Sequence, residues 1–429
     1  LNKGARRPTG VPDSKFKKIG ILGAGFMGAG IAYVTARAGI PVVLLDRDME
    51  SAEKGKAHSD SLISDQVKKG RAKPEEKDRL LSLITPTADY ADLAGCDLVV
   101  EAVFEDSGVK KLATEKAEAA LKSSAIFASN TSTIPITSLA KNSARPKNFI
   151  GIHFFSPVDK MMLVEIILGK KTGDKALAVA IDFVRAIKKT PIVVNDTRGF
   201  YVNRCVLRYM SEAYKMLIEG VPAAMIENAA KAAGMPVGPL ALTDETAIDL
   251  AQKIMKQTIK DLGEKAVDPK QMALINTMVD THGRFGRKNG KGFYDYPAKP
   301  AKKKLWPGLK DLYPQLKPEK VDYEELKERL LVTIALEAVR VMEEGIVTDP
   351  READVGSILA FGFAPFTGGA LSYIDGIGAK RFVKIAKGLQ KKYGAEFKTP
   401  KLLLDMAEKG ETFYQRFDPY QKGEVKKAA

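Results

Sequence analysis

Ile19-Gly20-Ile21-Leu22-Gly23-Ala24-Gly25-Phe26-Met27-Gly28 runs from a short apolar segment through a GxGxxG into a helix-forming stretch. In such a turn Gly23 permits the tight bend, Gly25 lets the backbone approach a pyrophosphate, and Gly28 lets the helix pack on its strand. Phe26 and Met27 open that helix, whose free amides and dipole would face the phosphates. Asp46 closes the second apolar run, 21 residues after Gly25. A carboxylate there holds ribose hydroxyls and repels a 2′-phosphate, so NAD is favoured over NADP. Arg47 is the counter-signal. A glycine turn without a ligand has the same letters, but the strand–turn–helix setting argues against it.

From residue 18 onward, apolar runs at 19–22, 42–45, 98–103, 125–128, 149–155 and 192–194 alternate with helical patterns at 26–38, 50–69, 75–83 and 109–121. That alternation predicts a Rossmann-type α/β domain over 18–197, with a mostly parallel sheet. Segments 149–155 and 163–168 lie too close together for a helical crossover and should pair antiparallel. Beyond Asp196-Thr197-Arg198-Gly199 the texture is helical, with apolar residues at helix spacing over 201–219. Ser211-Glu212-Ala213 and Leu336-Glu337-Ala338 lie 125 residues apart, and Glu219-Gly220 and Glu344-Gly345 keep that offset. We read a duplicated helical region, the second copy degenerate. The resulting domains are a linker at 1–17, the α/β domain, helical domains at 198–297 and 323–429, and a linker at 298–322.

Hydrophobic residues make up 45% and charged residues 28%, enough to build a sizeable core. No uncharged apolar run approaches the roughly 20 residues of a membrane span. Two cysteines and three histidines, none at metal-ligand spacing, argue against a zinc site and a disulfide framework. The cysteines fit a reducing compartment, whether bacterial cytoplasm, mitochondrial matrix or peroxisome; residues 424–429 carry no peroxisomal tripeptide. A net charge of +15 suits an anionic ligand. Nucleic acid is a remote alternative, because the lysines are dispersed and no aromatic-basic motif appears. The chain opens Leu1-Asn2-Lys3, without Met or an apolar signal, and reads as a fragment or a processed form.

His153 and Glu165 are equidistant from Asp159, the middle of the polar connection between the two antiparallel runs. A hairpin centred there makes them cross-strand neighbours. A glutamate among aliphatic residues needs a partner, and an imidazole beside it is oriented and stabilised as imidazolium. That pair suits removal of a proton from an alcohol as hydride leaves carbon. A purely structural pair would look the same; the nucleotide motif upstream favours the base. Ser129-Asn130-Thr131-Ser132-Thr133 follows a strand end, where open sheets bind ligands, although Ser132 or Thr133 could equally cap a helix. Asn203 starts the first helix of the helical region.

Together with the glycine turn and Asp46, the motifs Glu101-Ala102-Val103-Phe104-Glu105-Asp106, Ser129-Asn130-Thr131-Ser132, His153-Phe154-Phe155-Ser156-Pro157 and Gly199-Phe200-Tyr201-Val202-Asn203-Arg204 resemble the L-3-hydroxyacyl-CoA dehydrogenases of fatty-acid β-oxidation. With the duplicated helices, the chain is similar to the dehydrogenase half of the multifunctional enzyme, the trifunctional-complex α subunit. The resemblance implies NAD-dependent oxidation of L-3-hydroxyacyl-CoA to 3-ketoacyl-CoA. It implies His153 as base, Glu165 as its orienting carboxylate, and Ser132 and Asn203 on the substrate oxygen. It places Glu105 and Lys110 at the nicotinamide half of the cofactor, Ser132 among the cofactor-binding residues, Lys288 near the cofactor, and Lys68 at the coenzyme A phosphates. Ser156, where single-function members have asparagine, points to the multifunctional branch. The hydratase domain of that branch is expected to be absent, so hydration is not expected of this chain. A thiolase subunit and a homodimer partner remain open. The runner-up is an NAD-dependent dehydrogenase of a free hydroxy acid or sugar acid.

Overall fold

The computed structural model describes residues 1–298 and 300–417; residues 424–429 lie outside them. It divides into two compact units, the first holding residues 1–203 and 344–352, the second 204–343 and 353–416.

The first unit is built on eight strands: β1 (Ile19–Leu22), β2 (Val42–Leu45), β3 (Ile84–Thr87), β4 (Leu98–Glu101), β5 (Ile126–Ser129), β6 (Phe149–Phe154), β7 (Leu163–Leu168) and β8 (Thr190–Asn195). Their spatial order is β3-β2-β1-β4-β5-β6-β7-β8. Every neighbouring pair is parallel except β6 and β7. Helices α1 (Phe26–Arg37), α2 (Met49–Lys68), α3 (Pro74–Ser82), α4 (Ser107–Ala120), α5 (Ile136–Leu139) and α6 (Asp174–Ala186) connect them. Continuous Ile, Leu and Val runs form the central strands because both faces of the sheet are covered. Asp48 and Asp106 start α2 and α4 by accepting first-turn amides.

One strand escapes the sequence reading. β3 is Ile84-Thr85-Pro86-Thr87, polar and interrupted by proline, and proline is tolerated there because the strand lies at an edge. The opposite edge, β8, is covered by chain from far away. Val193 N donates to Glu352 Oε1 at 2.8 Å, Asn195 N to the Ile346 carbonyl at 2.8 Å, and Asn195 Nδ2 to the Gly345 carbonyl at 2.7 Å. These bonds occupy edge groups that would otherwise invite pairing with another chain.

Residues 1–17 contain no helix or strand, but they do not hang free as a linker would. Arg7 makes two bonds to Asp182, at 2.8 and 2.9 Å, and Arg6 Nη1 lies 2.7 Å from Glu352 Oε2. Phe16 meets Phe183 edge-on at 5.8 Å. Charge and a single ring hold this strap, and neither leaves a hydrophobic period to read.

The second unit contains α7 (Val202–Ile218, whose first two residues belong to the first unit), α8 (Ala223–Ala232), α9 (Pro239–Thr246), α10 (Ile248–Leu262) and α11 (Pro269–Asn276). A short antiparallel pair follows, β9 (Tyr294–Asp295) and β10 (Lys304–Leu305), then α12 (Leu309–Leu312). The expected second linker therefore carries structure: the Arg284 guanidinium sits 4.3 Å over the Trp306 ring, and Trp306 N donates to the Phe293 carbonyl at 2.9 Å. Helices α13 (Tyr323–Glu343), α14 (Pro350–Phe361), α15 (Ala370–Ile377), α16 (Ala379–Tyr393), α17 (Lys401–Lys409) and α18 (Phe413–Arg416) complete the fold.

The same knot recurs in both helical stretches. Glu227 of α8 accepts the Leu240 amide and the Tyr294 hydroxyl; Asp354 of α14 accepts the Leu371 amide and the Tyr414 hydroxyl. Asp244 accepts Phe293 N, and Asp375 accepts Phe413 N. Helices α7 and α13 are joined reciprocally: Arg204 pairs with Glu337 at 2.7 Å and Arg329 with Glu212 at 2.6 Å. Residue i meets j and the equivalent of j meets the equivalent of i, the contact pattern of a two-fold repeat.

Candidate functional site

In the first unit the chain leaves β1 toward one sheet edge and β4 toward the other, so their carboxyl ends flank a switch point. Gly23 turns there with φ +90°, and a Cβ on it would lie 2.6 Å from the Ala102 carbonyl oxygen. A Cβ on Gly28 would lie 1.8 Å from the Gly23 carbonyl, so helix and turn can close only on glycine. At Gly25 the reverse holds, with nothing within 4 Å of the missing Cβ. Gly25 caps α1 without a side-chain bond, and no acidic residue occupies the first turn. Open space before uncapped helix amides fits the pyrophosphate of a dinucleotide.

Asp46 braces this turn, accepting Ala24 N at 2.6 Å and Arg47 N at 2.7 Å. The Arg47 guanidinium, the counter-signal, is engaged by Asp48 at 2.9 Å. Phe26 is exposed, its ring 5.7 Å from that of His58, and Met27 is partly buried. Lys68 is exposed on the last turn of α2.

On β6 and β7 His153 and Glu165 are direct partners in the antiparallel register, with Nδ1 and Oε2 2.8 Å apart. Both are buried. Glu165 Oε1 accepts Tyr201 N at 3.1 Å and Val202 N at 2.9 Å, so the carboxylate is satisfied on both sides. A carboxylate at Nδ1 requires the proton on that nitrogen, leaving Nε2 as the basic one. Phe155 and Phe200 flank the imidazole at 4.5 and 5.8 Å.

Ser132 and Asn203 also meet: Asn203 Nδ2 donates to the Ser132 carbonyl at 3.0 Å. Ser132 N donates to Glu105 Oε1 at 2.9 Å, an oxygen that also takes the Thr131 and Thr133 hydroxyls and Thr133 N. Asn130 Oδ1 accepts Phe154 N at 2.8 Å and ties this turn to the residue after His153. Burial opposes ionisation of Glu105, but the Lys110 charge and the bonds from Thr131 and Ser132 hold its carboxyl below the ordinary value. Lys110 is itself buried, its ammonium between Glu101 Oε1 at 2.8 Å and Glu105 Oε2 at 3.2 Å. Lys288 lies in the second unit, where it pairs with Asp249 at 2.5 Å.

Sequence reasoning passed over two residues here. Glu101, a carboxylate ending an apolar strand, was visible within its motif but had no assigned partner. Lys189 donates to the Val158 carbonyl at 2.6 Å and to that of Met161, and burial pushes its ammonium down to about 8 against the pull of Asp159. Only the fold brings it under the β6–β7 connection. Among the described residues no group of His, Cys, Asp or Glu could hold a metal, and no helix is long and apolar enough to cross a membrane.

Two family models match this chain: the 3-hydroxyacyl-CoA dehydrogenase NAD binding domain over residues 18–197 and the C-terminal domain over 199–296. The fatty acid oxidation complex subunit alpha of Shewanella amazonensis is 41% identical over 415 residues, covering 95% of this chain and 58% of that protein. Its counterpart in Shewanella loihica is 42% identical over 403 residues, covering 93% and 56%. The chain thus spans a little over half the length of these relatives. The crystal structure of (S)-3-hydroxybutyryl-CoA dehydrogenase from Ralstonia eutropha is 35% identical with a TM-score of 0.61, covering 66% of this chain and all of that one. The 3-hydroxybutyryl-CoA dehydrogenase of Escherichia coli K12 shares the fold, with a TM-score of 0.79 at 24% identity, covering 92% and 99%.

Proposed function

This chain belongs to the NAD-dependent 3-hydroxyacyl-CoA dehydrogenase family, and from that premise we propose that His153 is its catalytic base and L-3-hydroxyacyl-CoA its substrate. NAD, when bound, would supply the two-electron oxidising capacity that removal of hydride from the carbinol carbon requires. Gly23, Gly25, Phe26, Met27, Gly28 and Asp46 would hold its adenosine diphosphate half, Glu105 and Lys110 would touch its nicotinamide half, and Ser132 would also contact the cofactor. His153 Nε2 takes the 3-hydroxyl proton. Glu165 fixes the ring and stabilises the imidazolium, and Ser132 and Asn203 orient the reacting oxygen. Lys68 reaches the coenzyme A phosphates.

The observation carrying this reading is the buried His153–Glu165 contact, in which Glu165 is satisfied on its far side by two backbone amides. Such a pair is fully oriented before substrate arrives. Oxidation, and not hydration, is the activity proposed for these 429 residues. A thiolase subunit and a homodimer partner belong to the same proposal.

The test is oxidation of NADH by the purified chain with acetoacetyl-CoA, beside free acetoacetate and beside NADPH. Turnover confined to the thioester with NADH is expected. Comparable turnover of free acetoacetate would favour the hydroxy-acid reading, and none with any pair would refute both.

A further inference from the structure

Glu101 belongs to the motif that carries the family resemblance, yet the mechanism above gives it no task. It ends β4 and is 1% exposed, and a carboxylate so placed is costly unless fully bonded. Its bonds are complete: Oε1 accepts Val103 N at 2.8 Å and the Lys110 ammonium at 2.8 Å, and Oε2 accepts the Ser129 hydroxyl at 2.7 Å. Lys110, 2% exposed, reaches on to Glu105, whose side chain is 38% exposed. Two carboxylates and one ammonium thus form a row from the sheet interior to the ligand side. The row carries a net charge of −1, and its exposed end is the carboxylate that grips the Thr131–Ser132–Thr133 turn.

We propose that Glu101 is a positioning residue that holds Lys110 in place and keeps this row negative, biasing the site toward the cationic, oxidised nicotinamide. The proposal rests on the reading that Glu105 lies at the nicotinamide half. Oxidised nicotinamide carries a positive charge that the reduced ring lacks, so one unit of nearby buried charge separates the two forms. Were Glu101 neutral, Lys110 and Glu105 would cancel and the bias would vanish. A merely structural glutamate would behave differently, because loosening the turn weakens both forms together.

The experiment measures dissociation constants of NAD⁺ and NADH separately, by calorimetry, on the intact chain. Glu101→Gln should raise the ratio Kd(NAD⁺)/Kd(NADH) by at least about tenfold. The double variant Glu101→Gln with Lys110→Met restores the net charge of −1 and should restore the ratio. Ser129→Ala, which removes one bond and no charge, should move both constants alike; it keeps the test informative if Glu101→Gln folds poorly, because a ratio shifted by Ser129→Ala would overturn the charge argument. An unchanged ratio in folded Glu101→Gln, or no recovery in the double variant, would also overturn it. Failure of the parent chain to bind either nucleotide would instead sink the dehydrogenase reading.

Discussion

Replacing His153 by alanine removes the nitrogen that Glu165 orients while leaving the glycine turn and Asp46 untouched. Turnover of acetoacetyl-CoA should fall at least about 10²-fold with NADH affinity retained. A near-normal rate would take His153 out of the mechanism. Asp46 makes a second, independent prediction. Its carboxylate braces Ala24 N, with Arg47 next to it, and in the proposed function it holds the adenosine half of the cofactor. Asp46→Ala should lower the NADH-over-NADPH preference in kcat/KM at least about tenfold, and an unmoved preference would show that selectivity lies elsewhere.

Among the elements, the register of β6 on β7 was legible because hairpin pairing follows from the midpoint of its connection. That arithmetic places His153 opposite Glu165, and the structure has them paired. The edge strand β3 was not legible, since Pro86 and its threonines give no apolar run. Nor was the burial of Lys110, which depends on carboxylates supplied by β4 and the turn before α4. The first turn of α14 shows a further hidden group. Burial, opposed by the Arg6 charge, pushes the Glu352 carboxyl up to about 7. A carboxyl raised above its unfolded value favours the protonated native state, so its contribution is full below pH 4 and is lost as pH rises through about 7. The melting temperature should therefore drop between pH 5 and pH 8, and Glu352→Gln should shrink that drop by at least about 2 °C. Calorimetry at both pH values decides; an undiminished drop assigns it to other groups.

On the scale of the whole molecule, the long-range ties are ionic as well as apolar. Arg329 is 1% exposed and bonded to Glu212 and Glu219, with its guanidinium 3.6 Å from the Tyr393 ring centre. Arg329→Met leaves Glu212 buried without its cation and should cost about 3 kcal/mol or more in denaturant unfolding. Adding Glu212→Gln should recover much of that loss; a silent Arg329→Met would show that the Arg329 pairs carry no stability.

The covering of β8 also bears on how the chain is made. Its edge groups wait for residues 345, 346 and 352, which follow them by 150 positions or more. At about 5–20 residues per second a ribosome needs roughly 8–30 s to supply that length. During that interval the nascent sheet offers an open margin, and a chaperone or a neighbouring polypeptide can reach it before its own chain does.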